Sequence, residues 1–273
     1  MIIDAHAHLS PTSYGSFERY LELLAQSDID GGVVCAGGML DVRNMNDFVL
    51  GVRKPSTTPR NDYVERATRQ GPRLHGVACV NPCDRGAAGE LSRYLSEGFR
   101  GLFVSPLVHP FSFTDDSMVE LATLCAEREL PVISHNGWRP GANTEDYVRL
   151  AKKVPRARFI LEHMGAHPVD VEARTAATEL SNFYLETSLA SFLHIVETVK
   201  AAGPSKVIFG SEYPLSHPGV ELAKLRFLPI TERERDLILG ENARALFRLG
   251  AGAEGALARP EAASPDLADG PRS

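Results

Sequence analysis

The sequence predicts an α/β fold, a single-domain (β/α)8 TIM barrel, and three observations predict it. Eight short apolar runs of strand length recur along the chain. Segments with helical periodicity separate them, the alternation of βαβ units. The chain has 273 residues, close to the typical barrel length of about 250.

The eight runs are MIIDAHAHL (1–9), GGVVCAGG (31–38), LHGVACVN (74–81), GLFVSP (101–106), PVISHNG (131–137), RFILEHMG (158–165), FYLETS (183–188) and KVIFGSEYP (206–214). They are nearly continuous in apolar residues, as parallel strands covered on both faces must be. Between the first two lies FERYLELLAQSD, preceded by Ser16 as N-cap. Before the fifth, Met118, Leu121, Leu124 and Cys125 form one apolar stripe after Asp115 and Asp116. Before the eighth, SFLHIVETVKAAG closes on Gly203 with Pro204 next, a helix stop written in residue types. Residues 39–60 are too long for a simple connection and read as a lid or binding loop. The barrel is expected to occupy 1–250. The Ala/Pro/Gly/Asp-rich segment 251–273 has little to bury and is expected to be a disordered tail.

Composition narrows the function. Net charge is −6, from 29 basic and 35 acidic residues, and no Lys/Arg block forms a nucleic-acid face. No apolar run reaches membrane-spanning length and no secretory pattern opens the sequence, so a cytoplasmic protein without membrane partners is expected. Cys35, Cys79, Cys83 and Cys125 fit neither a disulfide framework nor a CxxC metal pattern. Cys35 and Cys79 read as small buried apolar groups.

In a barrel, the chemistry sits at the C-terminal ends of the strands. His6 and His8 end the first run, His135 the fifth, Glu162 and His163 the sixth, with His167 following; the eighth ends Ser211-Glu212-Tyr213. Residues two apart on a strand point to one side, so His6 and His8 face one point. With His135 and Glu212 they make an N₃O donor set suited to one divalent ion, Zn²⁺ first, with Mn²⁺ or Fe²⁺ as alternatives. His163 is then a proton-transfer group or a further ligand. Glu186 reads as a rim residue or an outer hydrogen-bond acceptor as readily as a ligand. Arg139 offers a fork for a substrate carboxylate, and Trp138, the only tryptophan, a wall for a flat substrate. His75 and His194 read as hydrogen-bonded structural histidines.

The motifs DAHAHL (4–9), GFRGLFVSP (98–106), PVISHNG, ILEHMG (160–165), FGSEYP (209–214) and GENARALFRL (240–249) occur in this order. In them the chain resembles the amidohydrolase superfamily, in particular the amidohydrolase-2 group of non-oxidative decarboxylases and lactonases. The resemblance implies that His6, His8 and His135 are metal ligands and His163 the catalytic histidine. It puts Glu212 where the group usually has a metal- or proton-handling aspartate. One extra methylene moves that carboxylate by about 1.5 Å. The fourth run lacks the lysine that bridges two metals in binuclear relatives, which implies a single ion and weakens a phosphotriesterase-like reading. The expected activity is hydrolysis of a small lactone or cyclic amide by metal-activated water, with His163 and Glu212 moving protons. Decarboxylation of a small carboxylate-bearing substrate is the alternative within the fold. A catalytically inactive binding barrel is the alternative of another class, and the intact histidine set argues against it. A homodimer is the assembly the resemblance implies.

Overall fold

The computed structural model describes residues 1–137, 139–165 and 169–250. The expected tail, 251–273, and the expected site residues Trp138 and His167 lie outside them. The eight expected strands appear as nine segments: β1 (Ile3–Leu9), β2 (Gly31–Ala36), β3 (Leu74–Gly76), β4 (Ala78–Cys79), β5 (Leu102–Val104), β6 (Pro131–Ser134), β7 (Arg158–Leu161), β8 (Phe183–Glu186) and β9 (Val207–Ile208). β3 and β4 are the two halves of the third expected strand, parted at Val77. Every pairing is parallel. The strands are shorter than the apolar runs because each run continues past the last ladder bond into its loop, where the polar residues lie.

Two ladders, β1-β2-β3 and β4 to β9, join into one ring. At one seam Val77 N donates to Val34 O (2.8 Å) and Arg100 N to Gly76 O (2.7 Å). At the other, Ala5 N donates to Phe209 O (2.9 Å), Glu212 N to His6 O (2.9 Å) and His8 N to Tyr213 O (2.7 Å). This second seam sets His6 and His8 against Glu212. Asp4 pins it from below: its buried carboxylate accepts from Tyr20 Oη (2.7 Å), Ser211 N (2.8 Å), Ser211 Oγ (2.5 Å) and His6 N (3.2 Å). The acid of the opening motif is therefore a seam clamp.

Helices cover the ring. Ser16 caps Phe17–Gln26 through its Oγ, which accepts from Arg19 N, as its residue type predicts. The helix Thr144–Lys153 lays Tyr147 against Phe159 and Phe183, and the Tyr147 hydroxyl donates to Val132 O at 2.9 Å. Phe159 thus faces the helical layer. By the two-residue period of a strand, Ile160 and Glu162 then face the barrel interior. The insertion 39–60 carries a short helix, Met45–Val49. It is strapped down where the buried His109 Nε2 meets Thr57 O at 2.8 Å. Among the described residues no helix is long and apolar enough to cross a membrane.

Candidate metal centre

His6 and His8 leave β1 on the same side, and each is held by its inner ring nitrogen. His6 Nδ1 meets Glu186 Oε2 at 2.9 Å, and His8 Nδ1 meets Cys35 Sγ at 3.1 Å. Burial pushes the Cys35 thiol well above its usual range. It therefore stays protonated and can donate to Ala7 O (3.6 Å) while its sulfur accepts from His8 Nδ1–H. In their neutral form both imidazoles then take the tautomer that turns a bare Nε2 towards the other. This is the arrangement of metal-ligating histidines steered by an outer acceptor. Cys35 is thus more than the small apolar filler that its position in the run suggests.

The two Nε2 atoms are 3.0 Å apart. Glu212 Oε2 lies 2.7 Å from His6 Nε2 and 3.6 Å from His8 Nε2, and Glu162 Oε1 lies 3.1 Å from His6 Nε2. Of these carboxylate oxygens, Glu212 Oε2 and both oxygens of Glu162 are buried without a hydrogen-bond partner. Buried orphaned acceptors cost roughly 1–3 kcal/mol each, more when charged, unless a cation takes them up. The electrostatics agree. Burial draws His6 down, but Glu162, Glu212 and Glu186 outweigh it and hold its pKa well above the ordinary value. Burial raises the Glu212 carboxyl, but His6 and His8 outweigh it and hold the pKa well below the ordinary value. Burial pushes Glu162 well up, with His6 opposing. Three acids around two imidazoles are a demand for positive charge that a divalent cation would meet. The donors present therefore fit such an ion.

His163 sits beyond this group. β7 would turn it outward, one residue after inward-facing Glu162, but its φ of +59° swings it back. Glu212 also has a left-handed backbone, φ +58°. Each such residue costs about 1–3 kcal/mol and is held only where the surroundings enforce it. His163 Nδ1 meets Ser188 Oγ at 2.9 Å, and that hydroxyl donates to Glu186 Oε2 at 2.7 Å. The chain assigns the Nδ1–H tautomer and leaves His163 Nε2 facing Glu212 Oε2, 3.9 Å away. Burial lowers the His163 pKa, so the neutral base is its resting form. Glu186 therefore steadies both His6 and His163, the outer-acceptor role left open by its place on the seventh run. Gly210 makes room for it, since a Cβ there would stand 2.3 Å from Glu186 Oε1.

The remaining expected site residues are placed differently. Both ring nitrogens of His135 are occupied, Nε2 by Ser105 Oγ (2.8 Å) and Nδ1 by Asn136 O (3.0 Å). Among the described residues, the groups whose ligand atoms lie within 4.8 Å of one another are His6-His8-Glu162-Glu212 and His6-His163-Glu186, and His135 is in neither. Arg139 spends donors on the carbonyls of Phe111, His109 (3.5 Å) and Pro140 (3.5 Å). Glu162 belongs to the centre although its sequence position marked only a strand end. The signal that could have found it is an acid in phase with the inward-facing residues of β7.

Fold and donors together define a TIM-barrel protein with a metal-competent centre at the C-terminal strand ends. The Amidohydrolase family model (Amidohydro_2) matches residues 3–249. The chain belongs to that family, and its activity is that of a hydrolase or carboxy-lyase. No curated protein matches it by sequence. Among solved structures, an uncharacterised TIM-barrel protein of Bordetella bronchiseptica superposes with TM-score 0.73 at 20% identity, covering 90% of this chain and 98% of that one. A dihydroxybenzoic acid decarboxylase of a Polaromonas species, solved with bound manganese, gives TM-score 0.69 at 17% identity over 91% and 97% of the two chains. A protein designated a probable 2-pyrone-4,6-dicarboxylic acid hydrolase, from Acinetobacter baumannii, gives 0.66 at 16% over 90% and 99%. At these identities the likeness is one of fold.

Proposed function

We propose that the protein is a mononuclear metal-dependent hydrolase that opens a small lactone or cyclic amide bearing a carboxylate. The observation that carries this reading is the position of the orphaned Glu212 Oε2, flanked by His6 Nε2, His8 Nε2 and His163 Nε2 at 2.7, 3.6 and 3.9 Å. His6, His8 and Glu212 would hold one ion, Zn²⁺ or Mn²⁺. A divalent ion there would supply Lewis acidity, enough to bring the pKa of water to about 7. His163 Nε2 takes the proton from the attacking water and returns it to the leaving group. Ser188 and Glu186 keep its ring turned to the site while its charge changes. Glu212 moves protons beside it, and Trp138 and His167 are assigned to the substrate from the sequence alone.

Decarboxylation is the second reading, favoured by the Polaromonas structure. There His163 would give a proton to carbon instead of taking one from water. The neutral resting form of His163 suits the hydrolytic base. The test is metal-loaded protein with a panel of lactones, cyclic amides and hydroxybenzoate-type acids in ¹⁸O-water. Acid release with ¹⁸O in the product is expected, and CO₂ release without ¹⁸O uptake would replace the first reading with the second.

A further inference from the structure

We propose that Glu162, rising from the barrel interior, is the fourth protein ligand of the metal ion, in place of His135. The inference rests on the metal-dependent reading above and names one of that site's own ligands. Glu162 is 1% exposed, and neither oxygen has a hydrogen-bond partner. Buried carboxylates are otherwise satisfied or paired. Its Oε1 stands 3.1 Å from the same His6 Nε2 that meets His8 Nε2 and Glu212 Oε2. Four ligand atoms of four residues are thus already gathered. Glu162 also lines a small cavity of about 10 Å³ together with His6, Phe103 and Ile133, room for about one water.

His135 is arranged in the opposite way. Ser105 Oγ and Asn136 O occupy its two ring nitrogens, so ligation would require at least one of those bonds to break. The two-residue strand period turns Glu162 inward, and the left-handed turn at His163 lets its neighbour serve the same site. The longer reach of Glu212 fits this arrangement, since its carboxylate meets Glu162 across His6. The resulting donor set has two imidazoles and two carboxylates, harder than the three-imidazole set read from the sequence. Harder donors lessen the preference for Zn²⁺ over Mn²⁺.

The experiment measures Mn²⁺ and Zn²⁺ affinity of the full chain by chelator competition, with bound metal counted by mass spectrometry and Mn²⁺ read by electron paramagnetic resonance. Circular dichroism checks each fold. Wild type is expected to bind one equivalent. Glu162→Gln is expected to lose more than about 100-fold in affinity, beyond the 10–100-fold typical of residues outside the ligand set. Glu162→Asp should recover part of the loss, and His135→Gln should stay within about 10-fold of wild type. Glu162→Gln at wild-type affinity would overturn the assignment while leaving the metal enzyme standing. If Glu162→Gln does not fold, His135→Gln decides alone: retained affinity supports the assignment, and loss beyond 100-fold overturns it. A wild type that binds neither metal overturns both readings.

Discussion

The two sides of the barrel mouth carry similar residue types and use them in opposite ways. On the side built from β1, β7, β8 and the segment after β9, polar groups point at one another. His6, His8, Glu162 and Glu212 converge, and some of their oxygens have no partner. On the side built from β5, β6 and the loops after them, His135 and Arg139 are tied to Ser105 and to main-chain carbonyls. Unsatisfied buried acceptors carry a cost that a ligand can relieve, whereas satisfied ones mostly hold the chain in shape. On the proposed reading, the contrast separates a reactive half from a supporting half.

The sharpest way to break that division is His163→Asn. Loss of a positioned acid–base group costs typically 10²–10⁴ in rate, so kcat is expected to fall by about that much on whichever substrate the panel identifies. Metal affinity should stay within a few-fold of wild type. If affinity collapses as well, His163 is a ligand. Glu186→Gln comes next. Its carboxylate accepts from His6, Ser188 and the backbone of His163, so the amide misorients a ligand and the base together. A 10–100-fold loss of metal affinity is expected, with a shifted pH–rate profile as the sign that His163 has lost its support.

Much of the reactive half was legible because strand periodicity is simple. His-x-His must face one way, and eight apolar runs of one polarity must bring their ends to one place. Glu212 followed from the same logic. Glu162 and His163 could not both be placed, because adjacent strand residues point to opposite sides and only the φ of +59° at His163 joins them. The support of His8 by Cys35 was equally hidden: 27 residues separate the partners, and only the register of β1 on β2, with His8 beside Cys35, brings them together. The supporting half was less legible for another reason. A histidine at a strand end looks the same in sequence whether or not its nitrogens are taken.

The supporting half should reveal itself through acid rather than through metal. Burial lowers His135 to about 4, against about 6.5 in an unfolded chain. Below pH 6.5 the unfolded state takes up a proton that the folded state refuses, so stability falls as pH drops towards 4. His135 is partly exposed, which tempers the effect. Between pH 7 and 5 it should account for about 1–2 kcal/mol of lost stability in metal-free protein. Urea unfolding of His135→Gln at the two pH values should show a correspondingly shallower loss. An unchanged slope would mean that His135 titrates normally and is less firmly held than its two bonds suggest.

Arg139 offers the smallest effect and the finest test of the division. Its guanidinium gathers the carbonyls of Phe111, His109 and Pro140, and the backbone of His109 and Phe111 belongs to the loop whose histidine straps residues 39–60 at Thr57 O. As a clamp, Arg139→Ala should cost about 1–2 kcal/mol, the range for a few part-exposed hydrogen bonds to a charged donor. It should also speed proteolysis within 39–60 while moving KM only slightly. As a substrate fork, the same change would leave stability alone and raise KM by at least tenfold, most for substrates with a carboxylate. A stability loss with an almost fixed KM would keep Arg139 with His135 in the half that shapes the mouth. A KM effect without a stability loss would extend the reactive half to β6.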